Sequence, residues 1–142
     1  AAASFAEGHP DVVAGLSLRA GYPAGNVDLS NANFPVISMV GSQDSVINWE
    51  NLEASVDQLP PDTIWLSIGG GNHAQFGDYG HQEGDSEATI RPQTQWAFAL
   101  ERTLDLLAPK LLLVLLLSPS LAARRDHRRE PLPGQPSRPC SC

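Results

Sequence analysis

Basic residues are scarce in most of this 142-residue chain. Positions 1–107 hold 14 acidic residues against three arginines, a net charge of −11, within a chain of net charge −7. Such a surface repels nucleic-acid phosphates, so nucleic acid is excluded as a partner. Positions 108–142 hold six basic and two acidic residues, net +4. We therefore divide the chain near Pro109 into a body, 1–107, and a tail, 108–142, rich in Leu, Pro and Arg.

Cysteines and long apolar runs are also lacking. The only cysteines, Cys140 and Cys142, lie at the carboxyl end and cannot form a disulfide framework for the body. Leu111–Leu117 is an unbroken apolar run of seven residues, whereas a membrane-spanning helix needs about 20, so we do not expect a membrane span. The tail is predicted to be irregular or disordered, and its composition also fits the alternative of a shifted reading frame through GC-rich DNA.

The start of the chain lacks the features of a signal peptide. Ala1–Phe5 contains no Met and no basic region before an apolar stretch. It is typical of a helix interior, and Gly8, followed by Pro10, predicts where that helix ends. We therefore expect that the chain begins partway into a domain, and its sequence does not indicate a cellular location.

Three short apolar runs organise the body: Val12–Leu18, Phe34–Val40 and Thr63–Ile68. Runs without strict alternation are typical of parallel strands buried on both faces. The 22 residues between Val40 and Thr63 are enough for a parallel crossover. The body is therefore predicted to be α/β, with three parallel strands and flanking helices.

Helices and a loop connect and follow these strands. Between the second and third strands, apolar residues spaced three and four apart predict one buried helix face: Trp49, Leu52, Val56 and Leu59. Arg19–Asn33, rich in Gly, Asn, Pro and Asp, predicts a surface loop. Pro92 suits the first turn of a last helix, whose expected members are Gln95, Trp96, Phe98, Ala99, Leu100, Leu104 and Leu107.

An acid and a histidine follow two of the predicted strands. Asp44 comes after the second strand and His73 after the third, and the carboxyl ends of adjacent parallel strands meet at one edge of a sheet. A carboxylate that accepts the Nδ1 proton of an imidazole leaves Nε2 free to take a proton from a hydroxyl group. Alternatively, Asp44 caps the following helix, and His73 is a loop residue with no chemical role.

The body resembles the carboxyl-terminal half of an α/β-hydrolase. The resemblance covers roughly residues 1–107 and is carried by GHPDVVAGLSLRAGYPA, FPVISMVGSQD, NLEASVDQLPPDTIWLSIGGGNHAQFGDYG and GDSEATI. The segment GGNHAQFGDYG is similar to a bacterial branch of the family. The resemblance implies a partial α/β-hydrolase fold, Asp44 as the catalytic acid, His73 as the base, and a small-molecule carboxylic ester or similar acyl substrate in the complete protein. It implies no organic cofactor and no metal.

One motif of that family is missing from the sequence. The nucleophilic serine of an α/β-hydrolase lies in a G-x-S-x-G turn, and no such motif occurs here. We therefore expect that an amino-terminal truncation removed both the nucleophile and the oxyanion hole, so that this chain alone is inactive. The alternative is a non-catalytic fragment or interaction module that pairs, or self-associates, through the exposed edge of Val12–Leu18.

Other chemically suggestive residues have simpler interpretations. A loop with His81 and three acids, and the tail's His127, Cys140 and Cys142, lack regular metal-ligand spacing. Gly69–Gly71 lacks the Lys and Ser or Thr of a phosphate-binding loop. The tryptophans Trp49, Trp65 and Trp96 line an acyl pocket or, more simply, belong to the core. Tyr22 follows the first strand, where it would border a site.

Overall fold

The computed structural model describes the backbone of residues 1–117 and the side chains of residues 1–109. Its regular elements are α1 (Ala2–Gly8), β1 (Leu16–Arg19), β2 (Val36–Gly41), α2 (Trp49–Ala54), β3 (Ile64–Ile68) and α3 (Pro92–Leu117), with short 3₁₀ turns at Pro10–Val12, Ser55–Gln58 and Ala74–Phe76. The predicted helix end at Gly8 is confirmed. The tail beyond Leu117, including the zinc alternative at His127, lies outside the described residues.

The three strands form one open parallel sheet in the order β1, β2, β3. Leu16 pairs with Val36 at the start of β1, and Ile37 pairs with Ile64 at the start of β3. The parallel pairing confirms the predicted α/β architecture. It also brings the carboxyl ends of β2 and β3 side by side, since Gly41 pairs with Ile68.

The central strand β2 contributes to the core on both faces because its side chains alternate. Val36 packs with α1 and β1 residues, including Ala6 and Leu18. Ile37 and Met39 pack against the opposite layer, which includes residues of α3. All six residues of β2 are buried, so this strand fits the prediction of a strand covered on both sides.

The predictions for the two outer strands need correction. Val12, expected in the first strand, lies in a 3₁₀ turn and is 74% exposed, because Pro10 starts that turn and β1 begins only at Leu16. In β3, Ile64 and Trp65 are 46% and 39% exposed. The prediction of three strands buried on both faces therefore holds only for β2, since β1 and β3 are the edges of the described sheet.

The predicted helix after β2 is also shorter than expected. Helix α2 ends at Ala54 and a 3₁₀ turn follows. Leu52 and Leu59 are buried, whereas Trp49 and Val56 are about half exposed at 47% and 46%. The change from 3.6 to three residues per turn breaks the single apolar face, because positions four apart no longer align.

The predicted Arg19–Asn33 loop is irregular after Arg19, which ends β1, but it is not wholly on the surface. Val27 and Leu29 are 1% and 3% exposed and belong to the core around α1 and β1. Gln58 fixes this segment, because its Nε2 donates hydrogen bonds to the carbonyl oxygens of Ala24 and Val27.

Helix α3 starts at Pro92, as predicted, and continues beyond Leu107 to Leu117. Its buried stripe consists of Gln95, Ala99 and Leu106, whereas Leu100 and Leu104 are 55% and 56% exposed. The helix passes through Pro109, which has no N–H group to donate to the preceding turn. Among the described residues, no helix is long and apolar enough to cross a membrane.

Candidate active site

Asp44 and His73 meet at the carboxyl edge of the sheet. His73 Nδ1 lies 2.9 Å from Asp44 Oδ2, the Asp44 side chain is fully buried, and the His73 side chain is 21% exposed. The strand order explains this contact, because Asp44 follows β2, His73 follows β3, and the two strands are neighbours. The expected proximity of the two side chains is therefore observed.

The Asp44 carboxylate is held by three donors. Oδ1 accepts hydrogen bonds from the backbone N–H groups of Val46 and Ile47 at 3.0 Å and 2.8 Å, while Oδ2 faces His73. These bonds replace the water that a buried carboxylate loses. Asp44 thus also binds the backbone of the turn that follows it. It does not cap helix α2, whose N-cap is Asn48, with a side chain that accepts from Asn51 N.

This arrangement favours one form of the imidazole. An ionised Asp44 carboxylate can accept hydrogen bonds but cannot donate one. Nδ1 of His73 therefore carries the proton and donates it to Oδ2. In neutral His73 the lone pair is then on Nε2, for which the described residues provide no hydrogen-bond partner. Such a nitrogen can take a proton from a hydroxyl group, and the carboxylate stabilises the imidazolium that results.

Close backbone contact joins the loops that carry the pair. Ser42 N donates to Ile68 O at 3.0 Å, Gln43 N donates to Gly71 O at 2.8 Å, and Gly70 N donates to Ser42 Oγ at 2.8 Å. At Gly41 an added Cβ would lie 2.4 Å from Gly71 O. Glycine is therefore required there for the two loops to approach each other.

Gly70 gives the loop after β3 its sharp turn. Its φ is +77°, in the left-handed region that favours glycine. The turn at Gly70 directs the chain back so that His73 lies at the edge of the sheet, beside Asp44. His73 itself precedes the 3₁₀ turn Ala74–Phe76, and its carbonyl oxygen accepts from Phe76 N at 3.1 Å.

A buried glutamine of α3 fixes the residue before His73. Gln95 is 0% exposed. Its Oε1 accepts from Asn72 N at 3.1 Å, and its Nε2 donates to Asn72 O at 2.9 Å. This role was not predicted from the sequence, although a polar residue on the same helix stripe as Ala99 and Leu106 was a usable signal.

The aromatic residues do not form one pocket wall. Trp49 and Trp65 are largely exposed, so their assignment to the core is wrong. Trp49 Nε1 donates to Asp44 O at 3.3 Å, and Trp96 Nε1 donates to Gln75 O at 2.6 Å. Tyr22 packs beside Val40, Ile47 and Leu52, and its hydroxyl accepts from Asn51 Nδ2 at 3.1 Å.

The loop between His73 and α3 contains the acids considered as metal ligands. Within the described part of the chain, no three His, Cys, Asp or Glu side chains are grouped as a metal site. Asp85 instead accepts hydrogen bonds from two backbone N–H groups, those of Ser45 and Ala74. Asp78 and Glu83 of the same loop are exposed.

Comparison with known families supports the fold and extends over most of the body. The model of the alpha/beta hydrolase family matches residues 1–97. An open parallel sheet with an Asp–His pair at its carboxyl edge is consistent with this class, and the chain belongs to the alpha/beta hydrolase family. The comparisons with curated proteins and with solved structures gave no match.

Proposed function

We propose that this chain carries the acid and the base of a serine-type hydrolase that acts on a carboxylic ester or a similar acyl compound. Asp44 is the acid and His73 is the base. The observation that supports this proposal most strongly is the 2.9 Å contact between Nδ1 of His73 and Oδ2 of the buried Asp44. Membership of the alpha/beta hydrolase family supports the same reaction class.

In the proposed mechanism, Nε2 of His73 takes the proton of a serine hydroxyl while that oxygen attacks the carbonyl carbon of the substrate. The imidazolium then gives the proton to the leaving alcohol as the tetrahedral intermediate collapses to an acyl-enzyme. Water then attacks the acyl carbon while Nε2 of His73 takes one of its protons. When this second tetrahedral intermediate collapses, the bond to the serine oxygen breaks, the imidazolium returns the proton to that oxygen, and the carboxylic acid leaves. Throughout, Asp44 keeps His73 in the tautomer and orientation that place the base at Nε2.

We propose that the serine belongs to sequence outside these 142 residues. No G-x-S-x-G motif occurs in the chain, and within the described residues no hydroxyl group is hydrogen-bonded to His73. One oxyanion-hole donor of this reaction is the backbone N–H of the residue after the nucleophile, so we place it with the serine in the proposed outside sequence. The chain alone is therefore expected to be inactive.

The experiment compares the chain with a version extended by its upstream reading frame. The chain alone should hydrolyse chromogenic short-chain esters no faster than its His73→Ala variant. We expect the upstream frame to encode G-x-S-x-G, and the extended protein to lose about 10⁶-fold in kcat on His73→Ala substitution, because the residues of such a triad act as a unit. Hydrolysis by the chain alone that His73→Ala abolishes, or an upstream frame without the motif, would refute the proposal.

A second candidate role is association through the edge of β1. This strand pairs only with β2 in the described sheet. Beside it, exposed apolar side chains include Phe5 at 56% and Val12 at 74% exposure, and an apolar groove runs between α1 and the segment that leads into β1. An unprotected edge strand is a template for pairing with another chain, so a second copy of this chain is the proposed partner.

A further inference from the structure

The loop between His73 and α3 contains a carboxylate that contacts both catalytic loops. Asp85 Oδ1 accepts from Ser45 N at 3.2 Å, and Asp85 Oδ2 accepts from Ala74 N at 2.8 Å. Ser45 directly follows Asp44, and Ala74 directly follows His73. One side chain therefore bonds to the backbone immediately after each member of the acid–base pair.

The neighbouring residue, Ser86, strengthens the same connection. Its carbonyl oxygen accepts from Asn72 Nδ2 at 2.7 Å, and its hydroxyl is hydrogen-bonded to the hydroxyl of Ser45. Asn72 directly precedes His73. Asp85 and Ser86 together thus contact the backbone or side chains on both sides of His73 and on the carboxyl side of Asp44.

The charge of Asp85 suits this geometry. Both of its oxygens accept from N–H groups, and hydrogen bonds to a charged acceptor are roughly twice as strong as those to a neutral one. An asparagine of the same shape would present one oxygen and one NH₂ group, so it could accept at only one of the two positions.

We propose that Asp85 is a positioning residue that sets the separation and orientation of Asp44 and His73. It does so by fixing the backbone N–H groups of Ser45 and Ala74 on one carboxylate. This inference rests on the proposed function, in which Asp44 and His73 act as a pair. Asp85 does not contact the reacting atoms and acts through the two loops.

The test combines amide hydrogen exchange with NMR of the His73 imidazole in the chain as it stands. In the unmutated protein, we expect the amides of Ser45 and Ala74 to be protected from exchange and His73 to show a downfield Nδ1 proton. Asp85→Ala should speed exchange at both amides by about tenfold or more, the equivalent of losing a charge-assisted hydrogen bond, and should broaden or abolish the Nδ1 proton signal.

Asp78→Ala is the matched control, because it removes an exposed aspartate from the same loop. It should leave both measurements unchanged. Asp85→Asn should retain protection at only one of the two amides. If Asp85→Ala does not fold, the role of Asp85 is tested by two other results. These are the loss of protection at one amide in Asp85→Asn and the protection of both amides in the unmutated protein.

The outcomes separate the two proposals. A downfield Nδ1 proton that is present in both the unmutated protein and Asp85→Ala overturns the role of Asp85 alone. Rapid exchange of Ser45 and Ala74 in the unmutated protein does the same. Absence of the Nδ1 proton from the unmutated protein counts against the Asp44–His73 pair itself.

Discussion

Single residues at this site perform more than one task. The two oxygens of Asp44 divide their contacts, one towards the backbone of Val46 and Ile47 and the other towards His73. The sequence alone left a capping role and a role beside the histidine as alternatives. In the structure Asp44 contacts His73 and also accepts from the turn that follows β2, because the two oxygens of one carboxylate can accept from different directions. The cap of helix α2 itself is Asn48 and not Asp44.

Gln95 offers a prediction at the residue scale. Gln95→Leu replaces the amide of α3 with an apolar side chain of similar size and leaves the N–H and C=O groups of Asn72 without their partner. Each unsatisfied buried group costs about 1–3 kcal/mol. The free energy of unfolding, measured by urea denaturation, should fall accordingly.

The control for this substitution is Gln93→Leu, at an exposed position of the same helix. Surface substitutions of this kind usually change stability by less than about 0.5 kcal/mol. Equal stability of the two leucine variants would show that the Gln95 hydrogen bonds contribute nothing to the loop before His73.

At the scale of elements, the position of the site follows from the order of the strands. The sequence predicted that Asp44 and His73 would meet, because both residues follow apolar runs and parallel strands end at a common edge. It did not predict that β3 is largely exposed, since the apolar run Thr63–Ile68 does not reveal which elements cover it. The hydrogen bonds by which Asp85 and Gln95 hold the loops around His73 were also not predicted. The residues that these side chains contact are distant in sequence and follow no periodic pattern.

The close approach of the loops after β2 and β3 gives a second prediction. Gly41→Ala places a Cβ 2.4 Å from Gly71 O, and backbone cannot move aside as a flexible side chain can. Overpacking of this kind typically costs about 1–3 kcal/mol. The substitution should lower the melting temperature and shift the NMR signals of His73.

Gly69→Ala is the comparison for that experiment. An added Cβ at Gly69 meets nothing within 4 Å, and Gly69 does not have a positive φ. This variant should match the unmutated protein to within about 0.5 kcal/mol. A Gly41→Ala variant as stable as Gly69→Ala would contradict the close loop contact described above.

In the whole molecule as far as Leu117, the sheet has two edge strands, β1 and β3. The predicted edge at Val12–Leu18 is shorter than expected, because regular pairing begins only at Leu16. The division of the chain at residues 107 and 108 stays a prediction. Helix α3 crosses that point without a break, so the change in composition does not coincide with the end of an element.

Self-association is the prediction that belongs to this scale. Sedimentation velocity should show oligomers that increase with protein concentration, since the edge of β1 and the apolar groove beside it are exposed. Val12→Lys should reduce this association by placing a charge beside the edge. The control is Val46→Lys, at a 37% exposed position in the segment after β2. A monodisperse monomer with cooperative melting would rule out the proposed association.

The most direct measurement of the central claim is the tautomer of His73, read from the imidazole ¹⁵N and ¹H resonances at alkaline pH and assigned with a His73→Gln variant. Neutral His73 should carry its proton on Nδ1, with a downfield proton resonance that Asp44→Asn removes. A proton on Nε2, or a spectrum that Asp44→Asn leaves unchanged, would contradict it.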